Sequence, residues 1–137
     1  QMLKKIVPTI ALVTGIALAT IPTTPANAAP ARNGVAAIKM KINAYYGQNY
    51  GPNVYSTGFS PGVAWSARDR SGAEVQGMNC QIQIYFPGTT KPTYKSALCQ
   101  GGVGVTDNGL YSNPGHYRII VVDKISGKRA WRWFTIE

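Results

Sequence analysis

The chain has 137 residues, with 14 Lys plus Arg against 5 Asp plus Glu, one His and two Cys. That length leaves room for one domain with an appendage and excludes an α/β barrel or a doubly wound dinucleotide enzyme. A charged fraction of 14% lies below the ~25% of an average soluble domain, and with 8 Tyr, 3 Trp and 3 Phe it excludes a disordered chain.

At the N-terminus, Lys4 and Lys5 precede an uncharged, mostly apolar stretch over 6–21, then Pro22, Pro25 and the small run Ala26-Asn27-Ala28. A positive end, an apolar middle and small residues at the cleavage point predict a secretory signal peptide over 1–28, cut after Ala28. A retained anchor is the rival reading, but a bilayer core asks for about 20 apolar residues and Pro8 interrupts this stretch. The expectation is a secreted, extracellular protein that meets the membrane only transiently, through its leader. Residues 29–34, small and Pro-containing, read as a flexible lead-in, and 35–137 as a single domain.

Past the lead-in, period two recurs and no sustained 3.6 period appears. Met40, Ile42 and Ala44 alternate with Lys39, Lys41 and Asn43. Val63, Trp65 and Ala67 alternate with Ala64, Ser66 and Arg68. The cleanest strand places Cys80, Ile82, Ile84 and Phe86 on one face and Gln81, Gln83 and Tyr85 on the other. The stretch 116–122 is apolar on both faces toward its end, which predicts a strand in the sheet interior with both sides covered. The last run, 130–136, is rich in Trp, Phe, Thr and Ile, types that suit a pleated surface. Trp131 and Trp133 share one of its faces, and a core role is expected for them. If that face is instead open, Arg129 and Arg132 beside the tryptophans make a sticky patch capable of cation–π contact.

Turn signals separate these runs: Pro61-Gly62, Ser71-Gly72, Pro87-Gly88, Asp107-Asn108-Gly109, Pro114-Gly115 and Ser126-Gly127. Residues 69–72 and 124–127 are expected to close hairpins. The glycine-rich run 100–105 has no helix after it to bind an anion and reads as a bulged strand or turn. Short strands at this spacing predict an all-β sandwich or small barrel. In an exported chain, Cys80 and Cys99 are expected to form a disulfide tying neighbouring strands around the 87–92 loop. The two cysteines enclose 18 residues, and closing a loop of that length is worth roughly 3 kcal/mol.

In the C-terminal third, Asn113-Pro114-Gly115-His116-Tyr117-Arg118-Ile119-Ile120-Val121-Val122-Asp123, then Ser126-Gly127-Lys128 and 131–136, resembles the last two strands of bacterial secreted immunoglobulin-like and fibronectin-like β-sandwiches. In those folds a Gly-x-Tyr enters the penultimate strand and the tyrosine hydroxyl folds back onto its corner. The resemblance assigns that part to Tyr117. It implies an immunoglobulin-like β-sandwich of about seven short antiparallel strands, engaged in binding or structural work. Trp65 precedes both cysteines, whereas antibody domains place the tryptophan between them.

Catalytic constellations are sparse. A nucleophilic triad needs a base beside Ser or Cys, and the sole histidine, His116, falls inside a predicted strand. A small secreted ribonuclease, with Glu74 as base, His116 as acid and Arg118 drawing in RNA, is the leading enzymatic alternative. A cationic antimicrobial or toxin-like protein is another. Asp69 and Glu74 flank a turn and could pair for glycoside hydrolysis, but Arg68 and Arg70 beside them make a surface charge cluster the simpler account. No catalytic residue, metal ligand or cofactor is assigned, and nucleic acid is not an expected partner of an exported chain.

The most distinctive segment is 45–55, in which Tyr45, Tyr46, Tyr50 and Tyr55 are interleaved with Gly, Asn and Gln. Tyrosine gives large amphipathic contact area at modest entropy cost, and small polar residues adapt around it, so the segment predicts a recognition loop. Its alternative role is to cover the edge of the core. Lys91, Tyr94 and Lys95 form a second candidate patch, and Lys124, Lys128, Arg129 and Arg132 gather round the final hairpin. The expected function is a non-enzymatic binding module whose ligand is a protein, a cell-envelope glycan or an anionic polymer.

Overall fold

The computed structural model describes residues 31–104 and 111–137. The proposed signal peptide and the turn signal at 107–109 lie outside them. Within these residues the chain is almost entirely strand and turn, without an α-helix.

The strands are β1 (Ala37–Tyr46), β2 (Asn49–Gly51), β3 (Val54–Tyr55), β4 (Ser60–Arg68), β5 (Ile82–Tyr85), β6 (Tyr94–Ser96), β7 (Gln100–Gly104), β8 (Gly115–Asp123) and β9 (Arg129–Ile136). They form a three-stranded sheet, β1-β4-β7, and a six-stranded sheet, β2-β3-β9-β8-β5-β6. Seven of them are principal strands, and β2 and β3 add a short hairpin along β9. One pairing departs from the antiparallel expectation: β3 runs parallel to β9, with Thr135 opposite Val54 and Ile136 opposite Tyr55.

The two sheets close over one core, as in a sandwich. Alternate residues supply it, because successive side chains of a strand point to opposite faces. Ile38, Met40 and Ile42 come from β1, Val63, Trp65 and Ala67 from β4, and Ile82 and Ile84 from β5; Ile119, Val121, Phe134 and Ile136 complete it from β8 and β9. At one end Tyr55 stacks on Phe59 with centroids 4.0 Å apart, and Phe134 meets both rings edge-on. The Tyr117 hydroxyl donates to the Asn113 carbonyl at 2.8 Å, the corner contact assigned to it from sequence.

Cys80 and Cys99 are bonded, with Cα atoms 5.1 Å apart. Cys80 leads into β5 and Cys99 into β7, so the bridge joins the two sheets rather than neighbouring strands of one sheet. The 124–127 turn closes the β8–β9 hairpin, with Gly127 N–H donating to the Asp123 carbonyl at 2.7 Å. In the 69–72 turn the Asp69 carboxylate accepts from the backbone amides of Ser71 and Ala73. Pro61-Gly62, by contrast, is not a reversal: both residues lie inside β4. Pro61 is tolerated there because it stands near the start of the strand, where the register with β1 shifts between Ala44 and Tyr46.

The glycine-rich run becomes β7. A Cβ on Gly101 would come 3.0 Å from the Trp65 ring, and one on Gly104 would come 2.8 Å from the Tyr45 ring. Aromatic rings from β4 and β1 therefore fill the space that the missing side chains leave.

The described part of the lead-in, 31–34, makes contacts with the domain through Asn33. Asn33 donates from its amide to the buried Asp123 carboxylate at 2.9 Å and to the Asn79 carbonyl at 3.1 Å. Asp123 also accepts from the Gln81 amide at 2.9 Å and the Ser126 hydroxyl at 2.6 Å. One carboxylate thus holds together the lead-in, the entry to β5 and the β8–β9 turn.

Candidate functional site: the outer face of the six-stranded sheet

Strand register decides which side chains share the outer face. Across β6, β5, β8 and β9, Lys95, Gln83, Val122 and Arg129 form one row, and Tyr85, Ile120 and Trp131 the next. Arg118 stands opposite Trp133, and His116 opposite Thr135. Trp131 and Trp133 are 50% and 55% exposed. They do not enter the core as expected from sequence; the opposite face of β9, carrying Phe134 and Ile136, does. The inward side of β8 offers Ile119 and Val121 as partners, whereas the outward side offers Arg118 and His116.

The Arg118 guanidinium carbon lies 5.3 Å from the centre of the Trp133 ring. A stacked guanidinium keeps the N–H donors at its rim available, and no described carboxylate pairs with it. The His116 Nδ1 lies 2.9 Å from the Thr135 hydroxyl, which fixes the ring against β9. Between β5 and β9 runs an open groove of about 450 Å³, lined among others by Tyr85, Pro87, His116, Arg118, Ile120 and Trp133. No carboxylate of the described residues lines it. Such a surface can stack a flat ring, hold an anion at Arg118 and accept or donate hydrogen bonds along its rim.

The sequence-derived site residues fall in three places. Tyr45, Tyr46 and Tyr50 are exposed, at the end of β1 and in β2, with the first two rings in an edge-on contact at 5.0 Å. Tyr55 does not belong with them: it is 2% exposed and its hydroxyl donates to the Ile42 carbonyl at 3.3 Å. Burial raises its phenol above the usual range. The parallel pairing with β9 turns Tyr55 inward, which makes it core rather than contact surface. The proposed Lys91, Tyr94 and Lys95 patch divides as well. Lys91 and Lys95 are exposed, while Tyr94 is half-buried with its ring 6.0 Å from that of Trp65. Lys95 instead joins the row of Gln83 on the outer face of the six-stranded sheet.

The cation over Trp133 is Arg118 from the neighbouring strand, and Arg132 alternates to the other side of β9. Sequence reasoning also passed over Tyr85, whose polar-face neighbours Gln81 and Gln83 marked it as merely outward. The signal available was its place on the same alternation as the exposed face of β8. Glu74 and His116, the acid–base pair of the ribonuclease alternative, stand at different sheets. Glu74 bridges to Arg68 at 3.6 Å beside β4, and His116 sits on the other sheet. Among the described residues no three His, Cys, Asp or Glu side chains gather to hold a metal. The chain matches no protein-family model, and no curated protein is similar to it in sequence.

Proposed function

We propose that the chain is an exported binding module of immunoglobulin-like build that works by contact rather than catalysis. Its ligand is displayed at a cell envelope, as a glycan, an anionic polymer or a protein. The observation that carries this reading is the pair Trp131 and Trp133, half exposed on a sheet face that also presents Arg118 and, among the described residues, no acid in its groove. Large apolar side chains held open on a rigid sheet, surrounded by polar groups, favour an interaction surface. The exposed Tyr45, Tyr46 and Tyr50 supply a second contact area of the kind found in recognition loops.

The immunoglobulin-like part of the reading draws support from the strand order. The first, second and fifth principal strands make one sheet, and the fourth, third, sixth and seventh the other. The Tyr117 corner contact adds to it. Export draws support from the disulfide, since such bonds persist in oxidising compartments.

Retention of the purified protein on intact cells and isolated cell-wall material tests the function. Recognition by the aromatic face predicts retention that survives at about 1 M salt, where charges are screened beyond about 3 Å. It also predicts loss of retention in a Trp131→Ala, Trp133→Ala variant. Adhesion that disappears in high salt and ignores both tryptophans would show simple charge attraction and end the reading.

A further inference from the structure

Resting on that reading, we infer that the groove between Tyr85 and Trp133 takes an acidic oligosaccharide, a sugar chain bearing carboxylates such as uronic acids. Three features of the groove converge on this ligand class.

The first is shape. The groove is open and about 450 Å³ in volume, within the range of small-ligand sites, and it runs across the sheet rather than into the core. Tyr85 on β5 and Trp133 on β9 stand on strands two inter-strand spacings apart, about 10 Å. That span suits a short segment of a chain rather than one ring.

The second is chemistry. Aromatic rings offer apolar faces against which the C–H side of a sugar ring packs, and the Tyr85 hydroxyl, donating to the Gln83 side chain at 2.9 Å, is held at the groove's edge. The polar rim, His116 and Thr89, suits a ligand rich in hydroxyl groups.

The third is charge. Among the described residues Arg118 is the one Lys or Arg lining the groove, and no described carboxylate pairs with it. Its planar fork, supported on Trp133, matches a carboxylate bidentately. An acidic peptide would satisfy Arg118 but offer no ring for both aromatics. A single-stranded nucleic acid would bring a phosphate at every residue to a groove with a single fixed cation, where such binding needs a track of them. A carboxylated sugar chain answers the rings and the single guanidinium together.

The test is titration of the protein with tetragalacturonate, followed by tryptophan fluorescence and calorimetry. Parallel arms use a neutral cellotetraose and a single-stranded oligothymidylate. Saturable binding of tetragalacturonate is expected, with cellotetraose roughly tenfold weaker or more, the scale of a lost charge-assisted pair. Arg118→Gln should remove the preference for the acid, and Trp133→Ala should weaken both sugars. Both variants should keep the wild-type fold by circular dichroism and lose no more than about 1 kcal/mol of stability, because neither side chain is in the core. Arg118→Lys, which keeps charge without the planar fork, should recover only part of the preference.

Absence of saturable tetragalacturonate binding overturns the inference, as does equal binding by the Arg118→Gln variant or tighter binding of oligothymidylate. Retention on cell-wall material separates this failure from that of the broader reading. Wild-type protein that stays on the wall through Trp131 and Trp133 but ignores tetragalacturonate would refute only the acidic-sugar assignment.

Discussion

Trp133 and Phe134 are adjacent in sequence and opposite in environment. Phe134 is 1% exposed and meets the rings of Tyr55, Phe59, Tyr111 and Tyr117, whereas Trp133 touches the guanidinium of Arg118 and stands 55% exposed. One strand thus carries two aromatic surfaces, one closed by its neighbours and one left open. The difference lies in what the adjacent strand presents, since both are large rings on the same β-ribbon. Aromatic content alone therefore says little about whether a face is core or contact.

Breaking the closed side gives the largest effect. Phe134→Ala removes a ring from the centre of an aromatic cluster and leaves a cavity, which costs about 3–5 kcal/mol in comparable cores. Urea unfolding should show that loss as a lowered midpoint. A cost below about 1 kcal/mol would mean that the cluster is loosely packed and that the contrast between the two sides of β9 is weaker than the geometry indicates.

Charge follows the same division: the outer face holds cations, and among the described residues the interior holds one acid, Asp123. Burial pushes the Asp123 carboxyl up, but hydrogen bonds from the side chains of Ser126 and Asn33 and the backbone amides of Gln81 and Ser126 outweigh it, leaving the group below the usual carboxylate range. A group lowered in the folded state contributes stability that is complete above its unfolded value of about 3.9 and is lost as the pH falls through the folded value. Acid should therefore loosen the lead-in and the β8–β9 turn together. Asp123→Asn should cost about 1–3 kcal/mol at neutral pH, because an amide then faces donors, and should remove this part of the acid-induced loss. Asp69 is also held low, first by the Ser71 hydroxyl, in an exposed turn. An Asp69→Asn control separates its share, and an unchanged acid profile in Asp123→Asn would deny the buried carboxylate its role.

Much of this architecture was legible in the sequence. Period-two runs located β1, β4 and β5, the apolar run over 116–122 and the Trp-, Phe-, Thr- and Ile-rich run over 130–136 located β8 and β9, and the export signature together with two cysteines anticipated the bridge. Alternation gives the two faces of a strand but not which is inward, a sign fixed by register with its neighbours. That is why Trp131 and Trp133 read as core and Tyr55 as surface. The mass of two indoles outweighed Phe134 and Ile136 in a one-dimensional reading, although Arg118 and His116 on the partner strand decide the matter. The parallel pairing of β3 with β9 left no local mark either, because the segments that meet are far apart in the chain. The groove was invisible for the same reason: Tyr85, Arg118 and Trp133 come from three strands. Asn33 lay in a stretch whose composition suggested flexibility, and its hydrogen bond to the distant Asp123 is not read from composition.

The open side should yield the smallest change in stability and the largest in binding. Trp133→Ala deletes a half-exposed ring and one cation–π contact, so a cost of about 1 kcal/mol or less is expected in urea. If the outer face exists for contact, the same substitution must weaken ligand retention far more than that figure suggests, because binding surfaces concentrate their energy in a few aromatic and arginine side chains. A stability loss approaching that of Phe134→Ala would place Trp133 within the fold's own packing. The two neighbours in sequence would then be doing the same work from opposite sides of the strand, and the face would no longer be free to serve a ligand.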